Sequence, residues 1–204
     1  MTTLLQLDRV TFAYPGGVAL VGDWSTTIAP GVTLIFGDTG SGKSTLLRVL
    51  AGELPATGRQ TLAGIRLDAD AAAYRRQVAW YDPTTDVFDQ LTVRDVLASL
   101  QIDEATWAAH ADGFALRPHL HKPLYMLSTG SRRKVWLAAA LASACPLTLL
   151  DEPTGALDAP SIAHLMRVLA TLAHQHERAV VIASAHHPDT IAFADVIGLP
   201  IQGA

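Results

Sequence analysis

Cysteine is almost absent from this chain: Cys145 is the only one among 204 residues. No internal disulfide can form, and a reducing compartment is the default expectation. Blocks of like charge are also missing. Nothing exceeds the short RRK of Arg132, Arg133 and Lys134, and the net charge is −4. Proteins that bind the phosphate backbone usually carry a basic excess, so nucleic acid is not expected as the partner. An apolar run long enough for a membrane-spanning helix, about 20 residues, is lacking too. The uncharged stretch VWLAAALASACPLTLL at 135–150 comes nearest, but Pro146 interrupts it and it runs into Asp151 and Glu152. It reads as a buried helix, a break at Cys145 and Pro146, and a buried strand. The start, MTTLLQLDRV, has no basic region ahead of an apolar core, so no signal peptide is expected. There is no internal repeat and no low-complexity linker.

Half of the residues are apolar, enough for one compact domain with a substantial core. Residues 4–14 alternate in strand fashion, and PGG closes them as a turn. A second strand-like run reaches Ile28. Residues 32–36, VTLIF, are uncharged and apolar apart from Thr33, as befits a strand covered on both faces. Residues 42–51 have a helical pattern ended by Gly52, and 61–67 and 78–81 read as further strands. Thr92 can cap a helix over 92–100, with Asp95 at its positive end. Residues 83–127 hold mostly short helical pieces, which predicts a helical insert in an α/β core. After the strand at 147–150 comes a helix with Ile162, Leu165, Met166, Leu169 and Leu172 on one stripe. AVVIASA then forms a buried strand, and 189–194 a short helical piece. Strand–helix–strand alternation implies parallel pairing.

Two stretches carry chemistry. GDTGSGKST, at 37–45, has the spacing Gly37-x4-Gly42-Lys43-Ser44 between a buried strand and a helix. Glycines let successive backbone N–H groups turn inward, and the helix that follows adds the positive end of its dipole. Lys43 supplies a charge for terminal phosphates, and Ser44 an oxygen for phosphate-bound Mg2+. LTLLDE, at 147–152, ends a buried strand in two carboxylates. Such a placement is costly without a cation or hydrogen bonds. Asp151 would hold Mg2+ and Glu152 would act as general base.

In this order the motifs resemble the nucleotide-binding subunits of ATP-binding cassette (ABC) transporters over nearly the whole chain. The resemblance implies a P-loop NTPase core with a mainly parallel sheet, an N-terminal antiparallel β portion and a small inserted helical subdomain at about 83–135 within one domain, 1–204. It implies that ATP is held by Gly37, Asp38, Thr39, Gly40, Ser41, Gly42, Lys43, Ser44 and Thr45. Tyr14 would stack on adenine, with a strand-end aromatic packed at a turn as the alternative. LSTGS at 127–131 is similar to the family signature, usually LSGGQ, with Ser128 and Gly130 facing the γ-phosphate of ATP bound to another protomer. DEPTGALD, at 151–158, resembles the stretch running from the carboxylates to the loop that crosses the dimer interface, which gives Asp158 an interface role. ASAHHPD resembles the segment of the switch histidine, identified here as His186, with His187 as the alternative.

The sequence departs from the family in three places. The glutamine that usually links Mg2+ and the attacking water to the helical subdomain falls on Pro83, so adjacent Asp82 would contribute an oxygen to the metal and hydrolysis would be slow. Thr129 and Ser131 replace the usual glycine and glutamine of the signature. His119-x-His121 and His174-x-His176 lack the acidic or cysteine partners of a zinc site, and RRK is expected on a solvated helix face. The resemblance implies an ATPase that pairs as a homodimer, or a heterodimer with a second cassette. It implies a place on the cytoplasmic face of the membrane, powering an integral-membrane transporter subunit docked on the helical insert. A dimerising regulatory module with little hydrolysis and a soluble, non-transport cassette are the alternative readings.

Overall fold

In the computed structural model, which describes residues 3–15, 17, 19–82, 86–100, 102 and 104–200, the first strand changes parity half-way. In β1 (Leu5–Ala13) Leu5 and Leu7 are buried on odd positions, and Val10 and Phe12 on even ones. The register with both neighbours shifts between them, and Arg9 takes φ +49°. A β-bulge inserts one residue and flips the alternation, so all four apolar side chains stay in the core. Pro83, which decides the expected metal-linking position, lies outside the described residues.

The chain divides into two compact units. The first comprises Met1–Ala79, Cys145–Pro153 and Leu169–Ala204, and the second Trp80–Ala144 and Thr154–Val168. In the first unit, β1 pairs antiparallel with β2 (Ala19–Ile28) and β4 (Thr57–Leu62), and β5 (Ile65–Arg66) extends the sheet in the order β2-β1-β4-β5. The expected single strand over 61–67 is instead a hairpin. Ala63 and Gly64 both have positive φ, +47° and +82°, the geometry of a two-residue turn whose twist suits antiparallel strands.

The second sheet is parallel, in the order β6-β7-β8-β3-β9, with β3 (Gly31–Phe36), β6 (Val78–Ala79), β7 (Leu147–Asp151), β8 (Ala179–Ser184) and β9 (Asp195–Gly198). Every residue of β8 is buried, and all of β3 except Phe36. These buried runs, apolar apart from Thr33 and Ser184, are explained by a sheet covered on both faces. The helix α1 (Lys43–Leu50) packs on β7 and β8, and α2 (Ala71–Arg75) is capped by Asp70. The helical piece expected over 189–194 does not form. That segment turns, and its last residue, Ala194, donates its N–H to Val32 O at 2.8 Å before β9 pairs in parallel with β3. The edge of β3 offers this part of the chain a row of backbone partners, and the chain takes them as a strand.

In the second unit, α3 (Val93–Ser99) starts as its sequence predicts: Thr92 Oγ1 accepts the Asp95 N–H. The helix α4 (Glu104–Gly113) packs on α5 (Thr129–Ala142), and α6 (Ala159–Leu172) begins here and ends in the first unit. Leu165, Leu169 and Leu172 of α6 are buried, as their spacing requires. No helix among the described residues is long and apolar enough to cross a membrane.

Candidate functional site: a phosphate loop facing a strand-end carboxylate

The loop at 37–45 leaves the buried strand β3 and enters α1 through Gly42, whose φ of +98° an L-side chain rarely adopts. A Cβ there would lie 2.2 Å from Leu20 Cδ1, and one on Gly37 would lie 2.7 Å from Ser41 Oγ. Gly42 is therefore required by its backbone angle, and a side chain at either position would have to push a neighbouring side chain aside. No side chain caps α1, so its first N–H groups stay available to an anion.

A cavity of about 400 Å3 lies over this turn, lined by Thr39, Gly40, Gly42, Lys43, Ser44, Thr45 and Glu152. Lys43 is only 6 % exposed. Its ammonium donates to Gly37 O at 2.8 Å and to Asp38 O at 3.0 Å, and lies 3.2 Å from Glu152 Oε1. Two of the three ammonium donors are thus hydrogen-bonded to loop carbonyls, and the charge also faces Glu152. A phosphate entering the cavity competes with that carboxylate for the lysine charge.

Glu152 follows β7 at φ +41°, in the small left-handed region unusual for a non-glycine residue. Two bonds hold it there: its N–H donates to Ala183 O at 2.9 Å, and its Oε1 accepts the Ala185 N–H at 3.0 Å. The carboxylate is thus fixed to the end of β8 and aimed at Lys43. Asp151, half-buried, precedes it as the last residue of β7.

The donor set suits magnesium. Ser44 Oγ and the two carboxylates are hard oxygen ligands, the kind Mg2+ takes. Among the described residues no group of three or more His, Cys, Asp or Glu side chains could close around an ion. A metal here would therefore share its coordination with nucleotide phosphates and water, as Mg2+ usually does. Within the loop, Ser41 Oγ is buried without a hydrogen-bond partner among the described residues, a polar atom in a turn otherwise built to meet an anion.

Tyr14 joins this site. Its hydroxyl is 3.0 Å from Thr45 Oγ1, its ring meets Phe12 edge-on at 5.1 Å, and it remains 53 % exposed. The two candidate histidines differ. His186 is exposed, with its N–H held by Ser184 Oγ at 3.0 Å. His187 packs edge-on to Phe193 at 5.2 Å, with Nδ1 3.9 Å from the Asp189 carboxylate.

The remaining candidates belong to the second unit. Ser128 caps α5: its Oγ accepts the Ser131 N–H at 3.2 Å and lies 3.0 Å from Ser131 Oγ. Gly130 is the second residue of that helix. Asp158 accepts the Ser161 N–H at 2.9 Å at the start of α6 and the Lys134 ammonium at 2.5 Å. The Lys134 bond, ahead of Ser161, holds its carboxyl well below the usual carboxylate range. Asp82 is exposed, next to Tyr81, whose ring stacks on Trp136.

RRK is not the solvated face expected. Lys134 is buried against Asp158, and Arg132 pairs with Asp89. The signal was present in helical spacing: Lys134 lies one and two turns ahead of Ala138 and Leu141, both buried.

A family model described as ABC transporter matches residues 21–155. The chain is similar to the cytochrome c biogenesis ATP-binding export protein CcmA of Rhodospirillum rubrum, 36 % identical over 190 residues that cover 90 % of this chain and 81 % of that one. It is also similar to the nickel import ATP-binding protein NikO of Rhodobacter capsulatus, 35 % identical over 211 residues covering 94 % and 83 %. A solved structure of the ATP binding subunit of an ABC transporter shares the fold, with a TM-score of 0.76 at 24 % identity over 89 % of this chain and 79 % of that one. A phosphate loop between a parallel strand and its helix, facing a strand-end glutamate, is common to many nucleotide-binding proteins, and the likeness along nearly the full chain narrows the choice. The chain belongs to the ABC transporter family, as one of its ATP-binding subunits.

Proposed function

We propose that this subunit hydrolyses Mg-ATP between two copies of the chain, or between this chain and a second cassette, and so drives a separate membrane-spanning partner from the cytoplasmic face. The observation that carries the reading is the Lys43–Glu152 contact of 3.2 Å inside the cavity of the phosphate loop. It sets the group that attracts phosphate beside the group that can take a proton from water. On nucleotide entry, Lys43 exchanges Glu152 for phosphate oxygens, and the loop N–H groups from Gly37 to Thr45 cradle the chain of phosphates. Freed from Lys43, Glu152 accepts the proton of the attacking water. Ser44 and Asp151 would hold Mg2+, which neutralises charge developing on the phosphates. Tyr14, anchored through Thr45, offers an exposed ring face to adenine. His186 is the switch histidine, because His187 is engaged with Phe193 and Asp189.

Ser128 and Gly130 of one copy face the γ-phosphate held by the other, with the loop ending at Asp158 between them. The membrane partner docks on the helical insert at about 83–127, a stretch of the second unit. Relatives named for export and for import share this architecture, so the choice of transported substance is assigned to that partner. Pro83 supplies no side-chain donor or acceptor where a glutamine is usual, and it favours slow hydrolysis with Asp82 providing the oxygen.

Calorimetry with ATP and Mg2+, phosphate release and light scattering on the full chain test this reading. Saturable ATP uptake, lost in Lys43→Ala, with ATP-dependent dimers and Glu152-dependent phosphate release, is expected. Absence of ATP binding by the metal-replete wild type overturns it. Asp82→Ala with unchanged Mg2+ dependence removes the substitution of Asp82 for glutamine.

A further inference from the structure

The start of α5 and the loop at 154–158 touch at two points within the second unit. At the first, a Cβ placed on Gly130 would lie 2.6 Å from the Ala156 carbonyl oxygen. The first turn of the helix and the loop backbone are therefore in contact, with no room for a side chain between them. At the second, one turn further along α5, the Lys134 ammonium reaches Asp158 Oδ2 at 2.5 Å. The lysine side chain is 11 % exposed, whereas that of Asp158 is 56 % exposed. The other carboxylate oxygen of Asp158 accepts the Ser161 N–H, so one side chain joins the beginning of α6 to the flank of α5.

The loop has little of its own to fix its shape. Ala156 stands at φ +58°, and within the loop Leu157 N–H donates to Thr154 O at 3.3 Å. A left-handed alanine costs about 1–2 kcal/mol and persists only where its surroundings hold it. A lysine taken largely out of water must likewise be compensated by a charge. Asp158 provides that charge, and in doing so it pins the loop.

We propose that Lys134 is a positioning residue for ATP turnover: it clamps the loop at 154–158 to the helix that begins at Ser128, so that both reach a second copy of the chain as one rigid piece. This rests on the proposed two-copy closure. Asp158 then acts through its bond to Lys134 within its own chain, with no need to present a free carboxylate across the interface. The Gly130–Ala156 contact fixes the distance between the two elements, and the charge pair fixes their rotation.

The test uses the full chain. Lys134→Met keeps the buried stem and removes the ammonium, and Lys134→Arg restores a donor. Calorimetry reads ATP binding to single copies, light scattering reads ATP-dependent dimers, and phosphate release at saturating and limiting ATP separates kcat from KM. Lys134→Met is expected to bind ATP as wild type does while dimer formation and kcat fall about tenfold. Lys134→Arg should recover most of both. Asp158→Asn should match Lys134→Met, and the double variant should be no worse than either single one. Wild-type dimer formation and kcat in Lys134→Met, or additive losses in the double variant, overturn the clamp. Should Lys134→Met fail to fold, Asp158→Asn at the exposed end of the pair carries the test, and wild-type behaviour there overturns it equally. Ser128→Arg separates the two levels of argument. If it leaves ATP-dependent dimers intact, the two-copy reading itself fails; if it abolishes them while Lys134→Met does not, only the clamp fails.

Discussion

Replacing Glu152 by glutamine should move binding and turnover in opposite directions. Without nucleotide, the carboxylate lies 3.2 Å from an ammonium that is 6 % exposed. At that separation the attraction is about 1 kcal/mol at the dielectric of water and about 5 kcal/mol at an effective value near 20. The Glu152 side chain is 39 % exposed, so screening brings the figure toward the lower end, about 1–2 kcal/mol. ATP must overcome this attraction to claim Lys43, and its phosphates then face a carboxylate. Glutamine removes both penalties, which corresponds to ATP binding about tenfold tighter. Its carbonyl oxygen can still accept the Ala185 N–H, so the strained backbone keeps its anchor, which alanine would lose. Loss of the base should lower kcat about 10^2- to 10^4-fold. Calorimetry reads the first effect and single-turnover phosphate release the second. A variant that turns over within about threefold of wild type, or that binds ATP more weakly, refutes the assignment.

Gly42→Ala forces a side chain into φ +98° and to 2.2 Å from Leu20 Cδ1. Backbone strain and overpacking together should cost about 2–4 kcal/mol, read as a lower urea midpoint, with ATP binding lost. His186→Ala should lower phosphate release well below that of His187→Ala, and the reverse ranking moves the switch role to His187. His164 predicts a pH effect. Burial, then Arg167, holds its pKa below the usual histidine value, and its Nε2 lies 3.4 Å from His110 Nδ1 and its ring beside that of Phe114. As pH falls through about 6.5 the unfolded chain takes up the proton first, so stability is full above that value and declines below it until the native residue also titrates. His119 is shifted the same way by burial, so the comparison with His164→Gln isolates the contribution, and identical urea midpoints against pH in both proteins refute it.

What the sequence made legible was local chemistry. The strand–loop–helix around 37–45, the cap at Thr92, and the buried strands β3, β7 and β8 each follow from a few adjacent residues, and each formed where expected. What escaped depended on partners distant in sequence. The turn at Ala63 and Gly64 lacks the Asn-Gly or Asp-Gly spelling that announces a hairpin, so one strand was expected where two pair. The strand β9 is short and exposed at three of its four positions; only the bare edge of β3 makes it a strand. The helical pattern read over 189–194 was overridden by the same edge.

The site repeats this division at finer scale. A spelling of two acids after an apolar strand names Glu152, but its usefulness lies in a backbone that the spelling does not disclose. A glutamate at φ +41° is strained, by an amount on the order of 1–3 kcal/mol. The strain persists because β8 and the residue that follows it hold Glu152 twice, through Ala183 O and Ala185 N. The fully buried strand thus does more than fill a core: its stability pays for a left-handed turn that aims the carboxylate at Lys43. Asp158 and Lys134 follow the same logic in the second unit, where a residue named by its motif is held in place by one that no motif singles out. A substitution that loosens β8 without touching the cavity should therefore weaken turnover before it weakens ATP binding, because the phosphate loop keeps its own glycines and helix while Glu152 loses its anchor.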